Sequence, residues 1–287
     1  MFESQKVSEL LEETAAFLEG RHVQEARTKT ELMISHILKC RRLEVHLRRE
    51  EAVPRSSVES LEGFVARLLE GEPLQYVLGE TVFMGHPFKV DRRALIPRPE
   101  TELLVEAVLK NEGLWHKELP CVADIGTGSG CIAISLTMAS PRARFQAVDI
   151  SPAALDLARE NARALGVEDR IDFIQGDLLE PLDPESLDAI VSNPPYVATS
   201  EYARLPREIH DYEPPMALEG GRDGLSVISR LVQQAATRLK SGGILLMEIG
   251  ENQAAQVREL MEAAGFFNVE ILKDLAGQDR IAVCGKP

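Results

Sequence analysis

From Val122 onward the chain alternates short strand-like runs with longer helical ones, and the first turn of that alternation is Asp124-Ile125-Gly126-Thr127-Gly128-Ser129-Gly130. Cys121-Val122-Ala123 precedes it as a strand, and Cys131 to Met138 follows as a helix. A strand, a glycine turn and a helix start form a loop that binds a cofactor or phosphate. The glycines let backbone approach a ligand closely. The spacing is Gly-x-Gly-x-Gly. A dinucleotide fingerprint needs glycine where Cys131 stands, so NAD is disfavoured. No Lys-Ser/Thr pair follows, which excludes a nucleoside-triphosphate loop.

The periodicity predicts strands over Val122–Asp124, Arg144–Asp149, Ile171–Gln175, Leu187–Ser192, Gly243–Ile249, Asn268–Lys273 and Arg280–Cys284. Helices are predicted between them, over Cys131–Ser140, Pro152–Leu165, Gly224–Leu239 and Gln253–Ala264. Such alternation implies an α/β, mainly parallel sheet covered on both faces. Ligands bind such sheets beyond the carboxyl ends of the strands. Asp124, Asp149, Asp177 and Asn193 all fall at or just past those ends. An acid at the place of Asp149 can hold two ribose hydroxyls.

Asn193-Pro194-Pro195-Tyr196 follows the apolar run Leu187 to Val191. An Asn amide oxygen accepts a hydrogen bond and can hold a planar –NH₂ group. The prolines stiffen the backbone and carry carbonyls without N–H groups. Tyr196 offers a ring face for stacking on a flat substrate. The set suits an amino or amide nitrogen poised to attack an electrophile.

The region before residue 81 reads differently. Residues 1–80 show helical spacing: Val7, Leu10, Leu11, Phe17 and Leu18, then Leu32, Met33, Ile37 and Leu38, then Val58, Leu61, Phe64, Val65, Leu68 and Leu69. Gly71 and Pro73 stop the third helix, and Leu43 to Leu47 is a short connector. Residues 81–90 read as two short strands around a turn, a hairpin linker, and residues 91–287 as the catalytic domain. Pro99 suits a first helical turn, with Glu100 and Glu102 at the positive helix end. Val197 to Arg222 lacks periodicity and reads as a wall over the substrate pocket.

The formal net charge of −14 disfavours nucleic acid as the main partner, because counterion displacement needs a cationic surface. Arg41-Arg42 and Arg48-Arg49 read as a solvated helix face, and His22, His36 and His46 as surface or core histidines. No apolar run approaches a membrane span, and the first residues carry no secretory pattern. The four cysteines, Cys40, Cys121, Cys131 and Cys284, lie far apart without a Cys-x-x-Cys or Cys/His cluster. No metal site is expected from them, and a reducing cytoplasm is.

The glycine loop, Asp149 and the Asn-Pro-Pro-Tyr loop, in this order, resemble a class I S-adenosylmethionine-dependent methyltransferase. Leu95-Ile96-Pro97-Arg98-Pro99-Glu100-Thr101-Glu102 is similar to the segment before the first catalytic-domain helix of the PrmC (HemK) family, and the resemblance runs nearly the whole chain. It implies a Rossmann-like sheet with its last strand antiparallel and a small N-terminal helical domain that docks the substrate. The implied reaction moves a methyl group from S-adenosylmethionine to the side-chain nitrogen (N5) of the Gly-Gly-Gln glutamine in class 1 peptide chain release factors. S-adenosylhomocysteine is the implied product.

By the same resemblance, Asn193 and the Pro194 carbonyl accept the two amide protons, Pro195 completes the loop and Tyr196 packs over the amide. Gly126, Thr127, Gly128, Ser129 and Gly130 line the methionine and ribose end of the cofactor, and Asp149 holds the ribose. Asp177 stands near the adenine amino group, with Leu178 beside the base where many relatives carry an aromatic. Asn193 also belongs to the cofactor set, while Asp124 shapes the loop and Leu95 to Glu100 borders the glutamine pocket. A monomer without membrane attachment is expected. Three alternatives remain on the residues alone: an amino methyltransferase of nucleic acid, a glutamine methyltransferase of a ribosomal protein, and a non-catalytic module that kept the fold.

Overall fold

Helical spacing accounts for the first part of the chain. In α1 (Val7–Glu19) the buried stripe includes Val7, Leu10, Leu11 and Leu18. α2 (Ala26–Leu38) adds Met33 and Ile34, and α3 (Arg55–Leu69) buries Val58, Leu61, Val65 and Leu68. Full burial of each such side chain contributes roughly 1.5–3 kcal/mol. The connector is a 3₁₀ turn, Arg42–His46. Gly71 has φ of 96° and ends α3. A further short helix, α4 (Leu74–Leu78), was not anticipated from periodicity. It is held by Arg67, which donates to Glu72 at 2.7 Å and to the carbonyls of Tyr76 and Val77 at 2.9 and 3.0 Å.

The computed structural model describes Phe2 and residues 6–287. It divides into two compact units, Met1–Gly79 and Glu80–Pro287. The second unit opens with an antiparallel hairpin, β1 (Glu80–Phe83) and β2 (His86–Lys89). Its turn residues Met84 and Gly85 have φ of 49° and 76°, the sign that two-residue hairpins favour. Phe83 and Phe88 meet edge to face with centroids 6.0 Å apart and belong to the core of this unit.

The remaining elements are α5 (Pro99–Leu109), α6 (Glu112–Trp115), β3 (Cys121–Ile125), α7 (Cys131–Ala139), β4 (Arg144–Asp149), α8 (Pro152–Ala164), β5 (Ile171–Gln175) and β6 (Leu187–Ser192). They continue with α9 (Thr199–Tyr202), α10 (Arg207–His210), α11 (Ser226–Arg238), β7 (Leu239–Glu248), α12 (Ala254–Ala263), β8 (Phe267–Lys273) and β9 (Asp279–Gly285). The sheet order is β5-β4-β3-β6-β7-β9-β8. β3 pairs in parallel with β4 and β6, while β9 runs antiparallel between β7 and β8. This is the predicted mainly parallel, Rossmann-like sheet with its last strand reversed. β7 begins at Leu239 rather than Gly243, because Leu239 already pairs with Leu187 before an irregularity in the ladder.

Adjacent strand residues face opposite cores. Val122 and Val191 pack with Leu104 and Ile132 on one face, and Ala123 and Ile190 with Leu231 and Val257 on the other. Both faces are therefore apolar, and polar groups collect at the strand ends. The chain steps from β3 to β4 on one side and later to β6 on the other, so the crevice past β3 and β6 is a topological switch point.

Candidate active site

The turn after β3 owes its path to glycine. Gly126, Gly128 and Gly130 have φ of 70°, 56° and 82°. A Cβ on Gly130 would lie 2.8 Å from Ile134 Cδ1 and 3.0 Å from Ala158 Cβ, so glycine is also required for the approach of α7 to α8. The amides of Gly126 and Thr127 donate to the Val148 carbonyl at 2.8 and 3.0 Å. Asp124 accepts from the Thr127 hydroxyl at 2.7 Å and the Ala133 amide at 3.1 Å, both on Oδ2. Its Oδ1 is buried with no hydrogen-bond partner among the described residues. Burial pushes this carboxyl up to about 7, against the pull of those two donors.

Asp149 ends β4. Its Oδ2 accepts the Gly128 amide and its Oδ1 the Ser151 amide, each at 2.9 Å. Burial raises its pKa, and the backbone donors Ser151 and Gly128 oppose the rise. Each oxygen keeps a lone pair for a ligand. Beyond β5, Asp177 Oδ2 accepts from Arg230 at 2.7 Å, and Leu178 follows with φ of 52°.

Past β6, Asn193 Nδ2 donates to the Thr101 hydroxyl at 3.0 Å, and Thr101 donates to Glu248 Oε2 at 2.7 Å. Asn193 Oδ1 and the Pro194 carbonyl accept no hydrogen bond among the described residues. The Tyr196 hydroxyl donates to Glu248 Oε1 at 3.1 Å. Burial, then the neighbouring Glu248 charge, raises the Tyr196 pKa and keeps the phenol neutral.

These ends enclose a cavity of ≈ 460 Å³. Gly126, Thr127, Gly128, Ser129, Asp149, Asp177, Leu178, Asn193 and Pro195 line it. Gly130, Pro194 and Tyr196 do not. Gly130 is consumed by helix packing, Pro194 is buried between the lining residues Asn193 and Pro195 with its carbonyl unclaimed, and the Tyr196 ring packs against the apolar core with its hydroxyl on Glu248. Leu95, Ile96, Pro97 and Arg98 border the cavity as well.

Comparison with known proteins accounts for both units. The family model described as "PrmC N-terminal domain" matches residues 9–79, and "Methyltransferase small domain" matches residues 99–209. A release factor glutamine methyltransferase of Chlorobaculum tepidum is 39% identical over 97% of this chain and 96% of its own. One of Moorella thermoacetica is 43% identical over 90% of each chain. The chain belongs to the release factor glutamine methyltransferase family. A methyltransferase from Pyrococcus furiosus shares the fold, with TM-score 0.53 and 16% identity over 77% of this chain and 96% of that one.

Three residues of this family member stand out in the structure but not in the sequence reading. Glu248, at the end of β7, is 1% exposed and ties together Thr101 and Tyr196. Burial raises its pKa, and those two hydroxyl donors hold it down. Glu213, 3% exposed, accepts the Arg98 guanidinium and, at 3.1 Å, the Ile96 amide. Thr101 lies in the quoted Leu95 to Glu102 segment without a role assigned to it. An acid directly after the apolar run Leu245 to Met247 was the available signal for Glu248; for Glu213 there was none beyond its place before Pro214-Pro215.

The stretch Val197 to Arg222 is ordered against the site. The Val197 amide donates to Leu218 O at 2.9 Å and the Gly220 amide to Val197 O at 2.8 Å. A Cβ on Gly220 would lie 2.7 Å from Pro195 O, and one on Gly224 would lie 2.2 Å from Tyr196 O. Pro214, Pro215, Met216 and Ala217 reach the cavity. Among the described residues no helix is long and apolar enough to cross a membrane, and no group of His, Cys, Asp or Glu is arranged for a metal ion.

Proposed function

We infer that the protein transfers a methyl group from S-adenosylmethionine to N5 of the Gly-Gly-Gln glutamine of class 1 peptide chain release factors. Family membership supports the reaction, and one observation carries it to this chain. Asn193, with an unclaimed amide oxygen, lines the same cavity as the glycine turn and Asp149.

The residues present fit the cofactor. The cavity is ≈ 460 Å³, and small-molecule sites span roughly 300–1,000 Å³. Asp149 keeps two lone pairs for a ribose diol, and buried Asp124 Oδ1 lacks a partner beside the turn that would take the methionine end. Gly126, Thr127, Gly128 and Ser129 line that end, with Gly130 shaping the turn behind them. Asp177 and Leu178 border the adenine end, Asp177 through the oxygen that Arg230 leaves open. When bound, S-adenosylmethionine supplies a methyl on a sulfonium, and S-adenosylhomocysteine leaves with the bonding pair on sulfur.

An amide nitrogen is a weak nucleophile because its lone pair is delocalised. Asn193 Oδ1 and the Pro194 carbonyl, accepting both N–H groups of the glutamine amide, would orient the nitrogen and stabilise the positive charge that grows there. Positioning of this kind supplies about 7–11 kcal/mol, and aimed acceptors in a dry site add a few kcal/mol. Water takes the departing proton, so no general base is needed before transfer. Pro195 would border the amide from the cavity wall, and Tyr196 would keep the loop in place through Glu248.

We further propose that residues 1–80 dock the release factor, that residues 81–90 form a hairpin link, and that residues 91–287 carry the chemistry. A monomer without membrane attachment is proposed with it. The free cysteines and a translation substrate support the cytoplasm. The net charge of −14 favours protein over nucleic acid as substrate.

The test is label transfer from radioactive S-adenosylmethionine to a class 1 release factor, beside a version with the Gly-Gly-Gln glutamine replaced. Label in the wild type alone is the expected result. Equal label in both, or in neither with cofactor binding intact, overturns the assignment.

A further inference from the structure

We infer that Thr101 and Glu248 are positioning residues that set which end of the Asn193 carboxamide faces the reacting nitrogen. This rests on the methyl-transfer reading above and adds the device that makes Asn193 an acceptor.

Hydrogen-bond polarity decides which end of Asn193 faces the substrate. An Asn side chain has two ends of nearly equal shape, an oxygen that accepts and an –NH₂ that donates. Turned the wrong way, Asn193 would set its –NH₂ against the –NH₂ of a glutamine substrate. Its local backbone does not decide between the two. Glu248 does, from the end of β7.

Burial raises the Glu248 pKa, while the Thr101 and Tyr196 hydroxyls and the Arg280 charge oppose the rise; ionised, the carboxylate only accepts, so each of its neighbours must donate. Tyr196 gives its hydroxyl hydrogen to Oε1 at 3.1 Å, and Thr101 gives its own to Oε2 at 2.7 Å. The Thr101 hydroxyl has no second hydrogen. Toward Asn193 it can only accept, and only Nδ2 can donate to it, at 3.0 Å. Oδ1 is thereby turned away from Thr101.

Burial makes the arrangement stringent. Thr101 is 2% exposed and Glu248 1%, so both are screened from bulk solvent and an unpaired group there is costly. Thr101 lies in the first turn of α5, two residues after Pro99. One carboxylate thus restrains both ends of the Asn193 to Tyr196 loop.

The test uses the full chain with Thr101→Val, Thr101→Ser and Glu248→Gln. Valine keeps the shape and removes the hydroxyl. Serine keeps the hydroxyl. Glutamine keeps an acceptor for only one of the two hydroxyls; with its oxygen on Tyr196, its –NH₂ faces Thr101, which frees the Thr101 hydrogen for Asn193 Oδ1 and reverses the amide. For the valine and glutamine variants we expect kcat on the release factor to fall about 10- to 100-fold, with KM and cofactor Kd little changed. Serine should recover most of the loss. Equal kcat in valine and wild type overturns the inference, and so does an equal fall in valine and serine, which would indicate packing alone.

The Asn193 side-chain –NH₂ resonance, assigned by its absence in Asn193→Ala, reads the same point without turnover. It should exchange slowly in wild type and Thr101→Ser, and fast in Thr101→Val. Slow exchange in all three overturns the inference even if the variants are poorly active. A wild type that protects this group but labels no release factor places the failure in the substrate assignment instead.

Discussion

The backbone amide of Gly128 donates to Asp149 Oδ2 at 2.9 Å, so the acid that ends β4 also holds the glycine turn that follows β3. Two features that the sequence presents 21 residues apart are one unit in the fold. Removal of the carboxylate should therefore act twice, losing a ligand group and loosening the turn. Asp149→Ala is expected to weaken cofactor binding by on the order of 10- to 100-fold, the worth of a hydrogen bond to a charged group. Calorimetry with S-adenosylhomocysteine measures it, and an unchanged Kd would take Asp149 out of the site.

Asn193→Ala should separate binding from chemistry. The truncated side chain leaves the glycine turn and Asp149 untouched, so cofactor Kd should stay near its wild-type value. kcat should fall by about 10²–10³, as when one aimed hydrogen-bonding group is removed from a transition state. Single-turnover label transfer gives the rate, and an unaltered rate would end the role assigned to Asn193.

Asp124 should make the protein less stable as pH rises. Burial pushes its carboxyl from 3.8 up to about 7 in the folded chain. Between those values the folded state binds the proton and the unfolded state does not. The stabilisation from that proton is full at the low end and lost as pH passes through about 7. Asp124→Asn cannot titrate, so its denaturation midpoint should fall less than the wild type's from pH 4.5 to 8 (roughly the window this linkage spans). Parallel pH profiles for the two proteins would refute the shift. Glu248 and Asp149 carry shifts of the same sign and remain in both proteins, so the comparison isolates Asp124.

Gly224→Ala should disturb the wall over the site. Gly224 has φ of 76°, and an added Cβ would stand 2.2 Å from the Tyr196 carbonyl oxygen, which Gln253 also binds at 3.0 Å. Overpacking and the φ penalty together should cost about 1–3 kcal/mol or more. A lowered thermal midpoint and reduced turnover are expected. Gly63→Ala is the control, since a Cβ there meets nothing within 4 Å and its helix should gain stability.

Local chemistry determined much of this protein before any tertiary contact is considered. Helical spacing marked the N-terminal helices, alternation of strands and helices marked the parallel sheet, and glycine at three positive-φ positions marked the turn after β3. Because parallel strands place their carboxyl ends on one edge, the order of motifs also brought Asp149, Asp177 and Asn193 to a single cavity. Only the tertiary structure decided how those groups are aimed. Thr101 meets Glu248 across 147 positions, and Arg98 meets Glu213 across 115. It also decided that Tyr196 spends its hydroxyl on Glu248 and its ring on the core, where its residue type alone suggested a stacking face. The long stretch after it, aperiodic in sequence, is ordered because Gly220 and Gly224 let it lie against the Pro195 and Tyr196 carbonyls. Periodicity reports which face of an element is apolar. The partner of a buried polar atom depends on which distant residue the packed core brings within hydrogen-bonding distance, and no local pattern encodes that distance.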